Sequence, residues 1–204
     1  MIHSRLQLLT RSRLAVTRIP WLSNLSVPCW MHLVADINTI LSGSRDGSAI
    51  VYTLRSGQYM RTVQHPSSAC VDLVALSSSG AMVLYSLGDG SLHSYTMNHR
   101  LNLPPLASVA VGERLNTIVF SSSSDVLLSA GEAGRIVLRR PHDLAVLHEL
   151  RALTEESPGG PGPLRCLTLS AMEDFVLAGT QRGTLLVWSS PMKIASDLMS
   201  QLAI

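Results

Sequence analysis

The chain alternates short apolar runs with glycine-containing turns, and this pattern occurs four times. The segment ILSGSRDGSAIVY (residues 40–52) has counterparts in VLYSLGDGSLHSY (83–95), LLSAGEAGRIVLR (127–139) and VLAGTQRGTLLVW (176–188). Apolar and β-branched runs of this length on both sides of a tight turn are typical of β-hairpins. The sequence therefore predicts four similar hairpins.

The turn glycines set the length of the repeat. They are Gly47, Gly90, Gly134 and Gly183, at intervals of 43, 44 and 49 residues. The longest interval contains ESPGGPGP (156–163), which predicts a flexible loop insertion. A period near 43 residues lies in the range of β-propeller blades. Six residues before each glycine stands a leucine (Leu41, Leu84, Leu128 and Leu177), so we expect one common register in all four units.

Two further strands are predicted for each hairpin. Upstream, residues 31–33, 74–76, 118–120 and 167–169 carry apolar side chains at every second position, the mark of a strand with one packed face. Downstream, residues 58–63 and 144–150 fit an outer strand, whereas Pro104 and Pro105 weaken its equivalent after Tyr95. Each unit is then a four-stranded antiparallel sheet, which buries its faces only by stacking against neighbouring units.

The segment SGSRDGSAIVYTL (42–54) resembles a WD40 repeat, and TQRGTLLVW (180–188) ends with the tryptophan that such repeats carry. In that family a turn aspartate, a Ser or Thr, a His and the Trp form a structural hydrogen-bond network. The matching turn positions are Asp46, Gly47, Asp89, Gly90, Gly134, Gly183 and Trp188. The pairs Glu132-Ala133 and Gln181-Arg182 depart from the pattern, and no Gly-His dipeptide is present, so the repeats are degenerate.

A narrower resemblance covers residues 31–189. The runs SGSRDGSAIVYTLRSGQYMRTVQHP (42–66) and GSLHSYTMNHRL (90–101) resemble the C-terminal propeller of neurobeachin-type BEACH-domain proteins. This resemblance implies a non-catalytic, cytoplasmic scaffold that binds other proteins and acts in vesicle trafficking or membrane-protein sorting. A WD40 ring usually has seven blades, so four repeats predict an incomplete ring. Self-association or missing blades of a parent chain would then cover its exposed faces.

The predicted organisation has three parts. Residues 1–28 form an irregular N-terminal segment, 29–189 the WD40-like blades, and 190–204 a C-terminal tail. In the tail, Ile194, Leu198, Met199 and Leu202 have helical spacing, so a capping helix and a mobile tail both stay open. The N-terminal segment has four arginines and no acidic residue, so a mitochondrial transit peptide is an alternative to cytoplasmic localisation.

Composition narrows the function classes. The 204 residues are 46% hydrophobic and 15% charged, which indicates a packed core, and a net charge of +2 gives no reason to expect nucleic acid as a partner. The three cysteines, Cys29, Cys70 and Cys166, have no CxxC spacing, so neither a disulfide framework nor a zinc site is expected.

No recognised catalytic motif is present, and we expect no enzyme activity, no cofactor and no metal ligands. His93 and the neighbours His148 and Glu149 are interpreted as solvated strand residues. The pair Arg139-Arg140 is the one basis for an alternative function, a propeller that binds phosphoinositides and associates peripherally with membranes. The other interpretation of that pair is a surface turn.

Overall fold

A computed structural model describes residues 28–34, 36–97, 104–151 and 162–189. In these ranges the chain forms fifteen β-strands, which confirms the predicted all-β class. The strands are β1 (Pro28–Val34), β2 (Thr39–Ser44), β3 (Ser48–Thr53), β4 (Tyr59–Gln64), β5 (Leu73–Leu76), β6 (Ala81–Tyr85), β7 (Ser91–Thr96), β8 (Ala107–Ala110), β9 (Leu115–Phe120), β10 (Leu127–Gly131), β11 (Arg135–Arg139), β12 (Val146–Arg151), β13 (Leu164–Leu169), β14 (Phe175–Thr180) and β15 (Leu185–Ser189). This part of the chain contains no helix of the length and apolarity that crossing a membrane requires.

The strands form four antiparallel sheets, each built from consecutive strands. Blades 1, 2 and 3 comprise β1–β4, β5–β8 and β9–β12, and blade 4 comprises β13–β15. Four-stranded blades are thus confirmed for the first three repeats. A fourth strand of blade 4 would follow Ser189 and so lies outside the described residues. The predicted tail 190–204, the N-terminal residues 1–27 and most of the predicted loop insertion 156–163 also lie outside them.

The expected common register is wrong in blade 2. In the hairpin of blade 1, the last paired residues are Gly43 and Ala49, and the turn between them has five residues. In the hairpin of blade 2, the last paired residues are Tyr85 and Leu92, and the turn between them has six residues. Since successive side chains of a strand point to opposite faces, one extra turn residue reverses the faces of β6 relative to β2. Leu41 therefore faces the following blade, but Leu84 faces the preceding one, and both lie in the same core cluster.

The core lies between the blades. Apolar side chains from facing sheets form one cluster at each of three junctions, and the buried residues of each cluster are 9% exposed or less. Blades 1 and 2 meet through Ala49, Val51, Val74, Leu76, Met82 and Tyr95. Blades 2 and 3 meet through Leu92, Leu115, Ile118 and Leu127, and blades 3 and 4 through Ile136, Leu138, Leu167, Val176 and Ala178. As the sequence indicated, each sheet is stabilised mainly by its neighbours.

The described blades form an open ring. The first strands of the blades contact one another in order, β1 with β5, β5 with β9, and β9 with β13. On the far side of blade 4, Phe175, Leu185 and Val187 share one face and are 48%, 63% and 55% exposed. We call these three residues and Leu177 the open face.

Candidate functional site

Turns and inter-blade loops form one continuous surface at one end of the blades. We call it the turn face; it comprises residues 45–47, 88–90, 132–134 and 181–183 with the loops 65–72 and 111–114. Backbone hydrogen bonds join these segments: the N–H of Val111 donates to the Gly90 carbonyl at 2.9 Å, and the N–H of Glu132 donates to the Arg114 carbonyl at 2.9 Å. Such a surface is a rigid platform for binding, because its loops are fixed by the sheets beneath.

The turn of blade 1 is held by Asp46 and Gly47. The Asp46 carboxylate accepts hydrogen bonds from the backbone N–H of Ser48 at 2.9 Å and from its hydroxyl at 2.6 Å. Gly47 has a φ of 83°, and a Cβ there would lie 2.8 Å from the backbone of Ser68 in the next loop. Glycine is therefore required both for the turn and for its contact with the loop to blade 2.

Asp89 lies at the same place in blade 2 and also reaches the loop from blade 1. Its Oδ1 accepts hydrogen bonds from the Ser91 N–H at 3.0 Å and the Ser91 hydroxyl at 2.5 Å, and its Oδ2 accepts from the Ser67 hydroxyl at 2.6 Å. Burial acts to raise the pKa of the Asp89 carboxyl, but these hydrogen bonds outweigh it and hold the pKa at about 2. The side chain is therefore a carboxylate across the physiological pH range.

Two buried histidines adjoin this carboxylate. His65, from the loop after β4, and His93, from β7, stack edge to face with ring centroids 4.5 Å apart. They are 1% and 6% exposed, so the expectation that His93 is solvated is wrong. Both Nε2 atoms approach the Ser91 hydroxyl, at 3.2 Å from His65 and 2.8 Å from His93. Burial lowers the pKa of both imidazoles.

In blade 3 an ion-pair chain replaces the turn aspartate. Glu113, from the loop after β8, accepts from the N–H of Ala133 at 3.0 Å and pairs with Arg135 at 2.9 Å. The turn residue Glu132 pairs with Arg165 of blade 4 at 2.7 Å. The pair Glu132-Ala133, which departs from the WD40 pattern, thus lies in a turn that is fixed by Glu113 and Arg165 of neighbouring elements. The other departing pair, Gln181-Arg182, lies in the turn of blade 4, where the Gln181 side chain accepts a hydrogen bond from Arg165 at 2.7 Å.

The remaining predicted turn residues do not come together. Gly134 and Gly183 each have a positive φ, 68° and 83°, in their own hairpins, as does Gly90 at 66°. Trp188 packs against the junction of blades 3 and 4, and its indole N–H points to the Arg151 carbonyl at 3.5 Å. It contacts neither aspartate, so these residues serve separate blades.

The structure buries one member of the pair Arg139-Arg140 and leaves the other exposed at the surface turn 140–143. Arg139 ends β11, is 7% exposed and donates to the Leu144 carbonyl at 3.1 Å. Arg140 is accessible but forms an ion pair with Asp143 at 3.0 Å. His148 is exposed and Glu149 pairs with Arg135 at 3.0 Å, so these neighbours form no acid–base pair.

The sequence did not predict His65 as a site residue. In the WD40-type network a histidine approaches the turn aspartate, and the WD40 pattern carries that histidine in a Gly-His dipeptide. His65 follows Gln64 instead and reaches Asp89 through Ser67 and Ser91. The available signal was its position directly after the outer strand of blade 1, where a loop must return to the turn face.

Comparisons with known proteins agree with this architecture. The model of the neurobeachin beta propeller domain matches residues 26–195. BEACH domain-containing protein B of Arabidopsis thaliana is 35% identical over 159 residues, which are 78% of this chain and 6% of that protein. Two computationally designed proteins share the fold. Ika4 has a TM-score of 0.61 and 18% sequence identity, and the match covers 81% of this chain and 92% of Ika4. Ika8 has a TM-score of 0.60 and 19% sequence identity, and the match covers 80% of this chain and 46% of Ika8.

Proposed function

Because the chain belongs to the neurobeachin β-propeller family, whose propeller is a protein-interaction module, we propose that it is a non-catalytic scaffold acting in vesicle trafficking or membrane-protein sorting. The chain spans only 6% of the BEACH protein that it matches. A role in sorting would therefore belong to a much larger polypeptide that contains this propeller. The proposal places the scaffold in the cytoplasm, on the surface of transport membranes.

One observation carries the interaction role, and it is the exposure of the open face. Two residues after the turn glycine stand Ala49, Leu92 and Ile136 in blades 1–3, each 0% exposed, but Leu185 in blade 4 is 63% exposed. The position two residues further is likewise buried in blades 1–3, whereas Val187 is 55% exposed. The next blade covers the apolar members of this set, and the buried Ser94 hydroxyl donates to the Pro141 carbonyl of the next blade.

The open face therefore has the chemistry of a blade junction. We propose that another propeller blade covers it, supplied by a longer form of the same polypeptide. An apolar sheet face of this kind is a binding surface or an aggregation hazard when it is left uncovered. Other proteins of the sorting machinery would then bind the turn face, which the junctions hold rigid.

A double substitution tests the role of the open face. Cells that lack the full-length polypeptide are supplied with it in wild-type form or with Leu185→Asp and Val187→Asp together. The wild type should restore membrane-protein sorting, measured by surface biotinylation of recycling receptors, and the double variant should not. The matched control is Val146→Asp with Leu147→Asp, on the outer strand β12, where the side chains are 53% and 45% exposed. Equal restoration by both variants would contradict the proposal.

An immunoblot of native extract identifies the source of the covering blade. An antibody against residues 144–162 should detect a polypeptide of several hundred kilodaltons. A band near 22.0 kDa instead would contradict a covering blade from the same polypeptide. Sedimentation velocity of the 204-residue chain would then show whether a second copy covers the open face.

A further inference from the structure

Blade 1 has a second face, directed away from blade 2, which belongs to none of the three junctions. Leu41, on the other side of the sheet, lies in the cluster with blade 2. The register places Leu33 beside Ile40, Ile40 beside Tyr52, and Tyr52 beside Tyr59, so these four residues form one row across the second face. We call it the back face. Its other row consists of Met31, Ser42, Ile50 and Thr62.

The back face is buried although no described blade lies in front of it. Ile40, Ser42 and Tyr52 are 4%, 3% and 8% exposed. Within the described ranges, the clusters at the three junctions include none of these residues. Neighbouring strands lie about 4.8 Å to the side, so they shield the flanks of a side chain but not its tip. The cover of Tyr52 must therefore come from chain outside the described ranges.

The open face shows how exposed an uncovered blade face is in this molecule. Leu185 and Val187 there are 63% and 55% exposed. On the back face, Tyr59 at the outer edge is 61% exposed, whereas the other seven residues are buried or half-buried. The two ends of the described blades thus differ, since one face is covered and the other is not.

We propose that residues 1–27 of this chain lie across the back face and cover it. This segment is the longest outside the described ranges, and it joins β1 directly at the turn face, where Pro28 pairs with Ser44. At about 3.3 Å per residue the segment reaches up to about 90 Å, whereas a six-residue strand such as β2 is about 20 Å long. Thirteen of the 27 residues are apolar, so the segment has the composition to cover an apolar sheet.

Residues 1–27 then take the place of a preceding blade. Of the two end faces of the described blades, the open face is the one that still needs a partner, so copies of this chain can associate through one face rather than add at both ends. A transit peptide removed after import, the alternative interpretation of these residues, would leave the back face uncovered. The inference concerns the 204-residue chain and does not depend on the proposed sorting function.

Site-specific photo-cross-linking in the complete 204-residue chain tests the proposal. The photoreactive residue p-benzoylphenylalanine replaces Tyr59 at the exposed edge of the back face, and mass spectrometry identifies the attached peptide. We expect an intramolecular cross-link to residues 1–27. The matched control places the same group at Phe175 on the open face, which should not reach that segment. The proposal is overturned if position 59 attaches only to residues 152–161, to 190–204 or to a second, isotopically labelled copy, or to no peptide.

Hydroxyl-radical footprinting of the unmodified chain measures the cover directly. Tyr52 should be oxidised several-fold more slowly than Tyr59, because the two residues are 8% and 61% exposed. Tyr85, 1% exposed between blades 2 and 3, is the folding control. Equal oxidation of Tyr52 and Tyr59 in a chain that keeps Tyr85 protected would show an uncovered back face and overturn the proposal.

Two variants of unchanged length identify the covering segment. The first carries serine at every leucine, isoleucine, valine and tryptophan of residues 2–27, and the matched control carries serine at every leucine, isoleucine and methionine of residues 190–204. The first should raise the oxidation rate of Tyr52 toward that of Tyr59, and the control should leave it unchanged. Continued protection of Tyr52 in the first variant, or its loss in the control, would contradict the proposal. If the first variant also exposes Tyr85, the cross-link in the complete chain decides.

Discussion

The energetic role of the blade junctions can be measured with one substitution made at two equivalent places. Leu92 and Leu185 both stand two residues after a turn glycine, on the third strand of a blade, facing the side of the next blade. Leu92 is 0% exposed in the cluster between blades 2 and 3, and Leu185 is 63% exposed on the open face. Replacing each by alanine removes the same atoms from a filled junction and from an unfilled one.

The expected costs differ several-fold. A Leu→Ala change in a closed core loses the transfer free energy and leaves a cavity, so Leu92→Ala should lower the free energy of unfolding by about 3–5 kcal/mol. Full burial of a leucine side chain contributes about 1.5–3 kcal/mol, and only about a third of Leu185 is buried, so Leu185→Ala should cost below about 1 kcal/mol. No cavity term arises at an open surface.

Urea denaturation followed by far-UV circular dichroism gives both values in dilute solution. The reasoning is refuted if the two variants lose the same stability at low protein concentration, because Leu185 would then be buried within the single chain. If the cost of Leu185→Ala grows with protein concentration, a second copy covers the open face. Native mass spectrometry of the same samples would show the dimer directly.

Three further predictions address the turn, one histidine and lipid binding. Gly47→Ala should lower the free energy of unfolding more than Gly183→Ala does. Both glycines have a φ of 83°, which costs alanine about 1–3 kcal/mol of strain, but of the two only Gly47 has a neighbour within 4 Å of the new Cβ. Equal urea midpoints of the two variants would contradict this. His32 Nδ1 accepts a 2.8 Å hydrogen bond from the Leu76 N–H, and burial lowers its pKa. An unfolded histidine binds a proton below about pH 6.5 while the folded one binds it less readily, so stability should fall as pH decreases from 7.5 to 5.5. His65 and His93, whose pKa values burial also lowers, add to this fall, so His32→Asn, which keeps an acceptor, should reduce it without removing it; an unchanged melting profile would show that His32 does not contribute. Arg140→Ala should not change flotation with phosphoinositide liposomes, since Arg140 is paired with Asp143 and its neighbour is buried; a clear loss of recovery would revive the lipid-binding alternative.

The repeat, the strands and the class of fold are predictable from the sequence alone. These follow from local rules: apolar alternation marks a strand, and a glycine with positive φ marks its turn, as at Gly47 and Gly183. The weak outer strand of blade 2 was also readable, since β8 has only four residues and begins after Pro105. Each of these signals lies within about ten residues of the structure that it predicts.

Which residues the blades bring together depends on their packing in three dimensions. One extra residue in the turn before Leu92 reversed the facing of Leu84, a change that a repeat aligned on glycines cannot reveal. The meeting of His65 with Asp89 depends on how a loop from one blade lies over the next, and the burial of Arg139 depends on the packing around β11. Such contacts join residues distant in sequence, and their geometry is set by the stacking of whole sheets rather than by any local pattern.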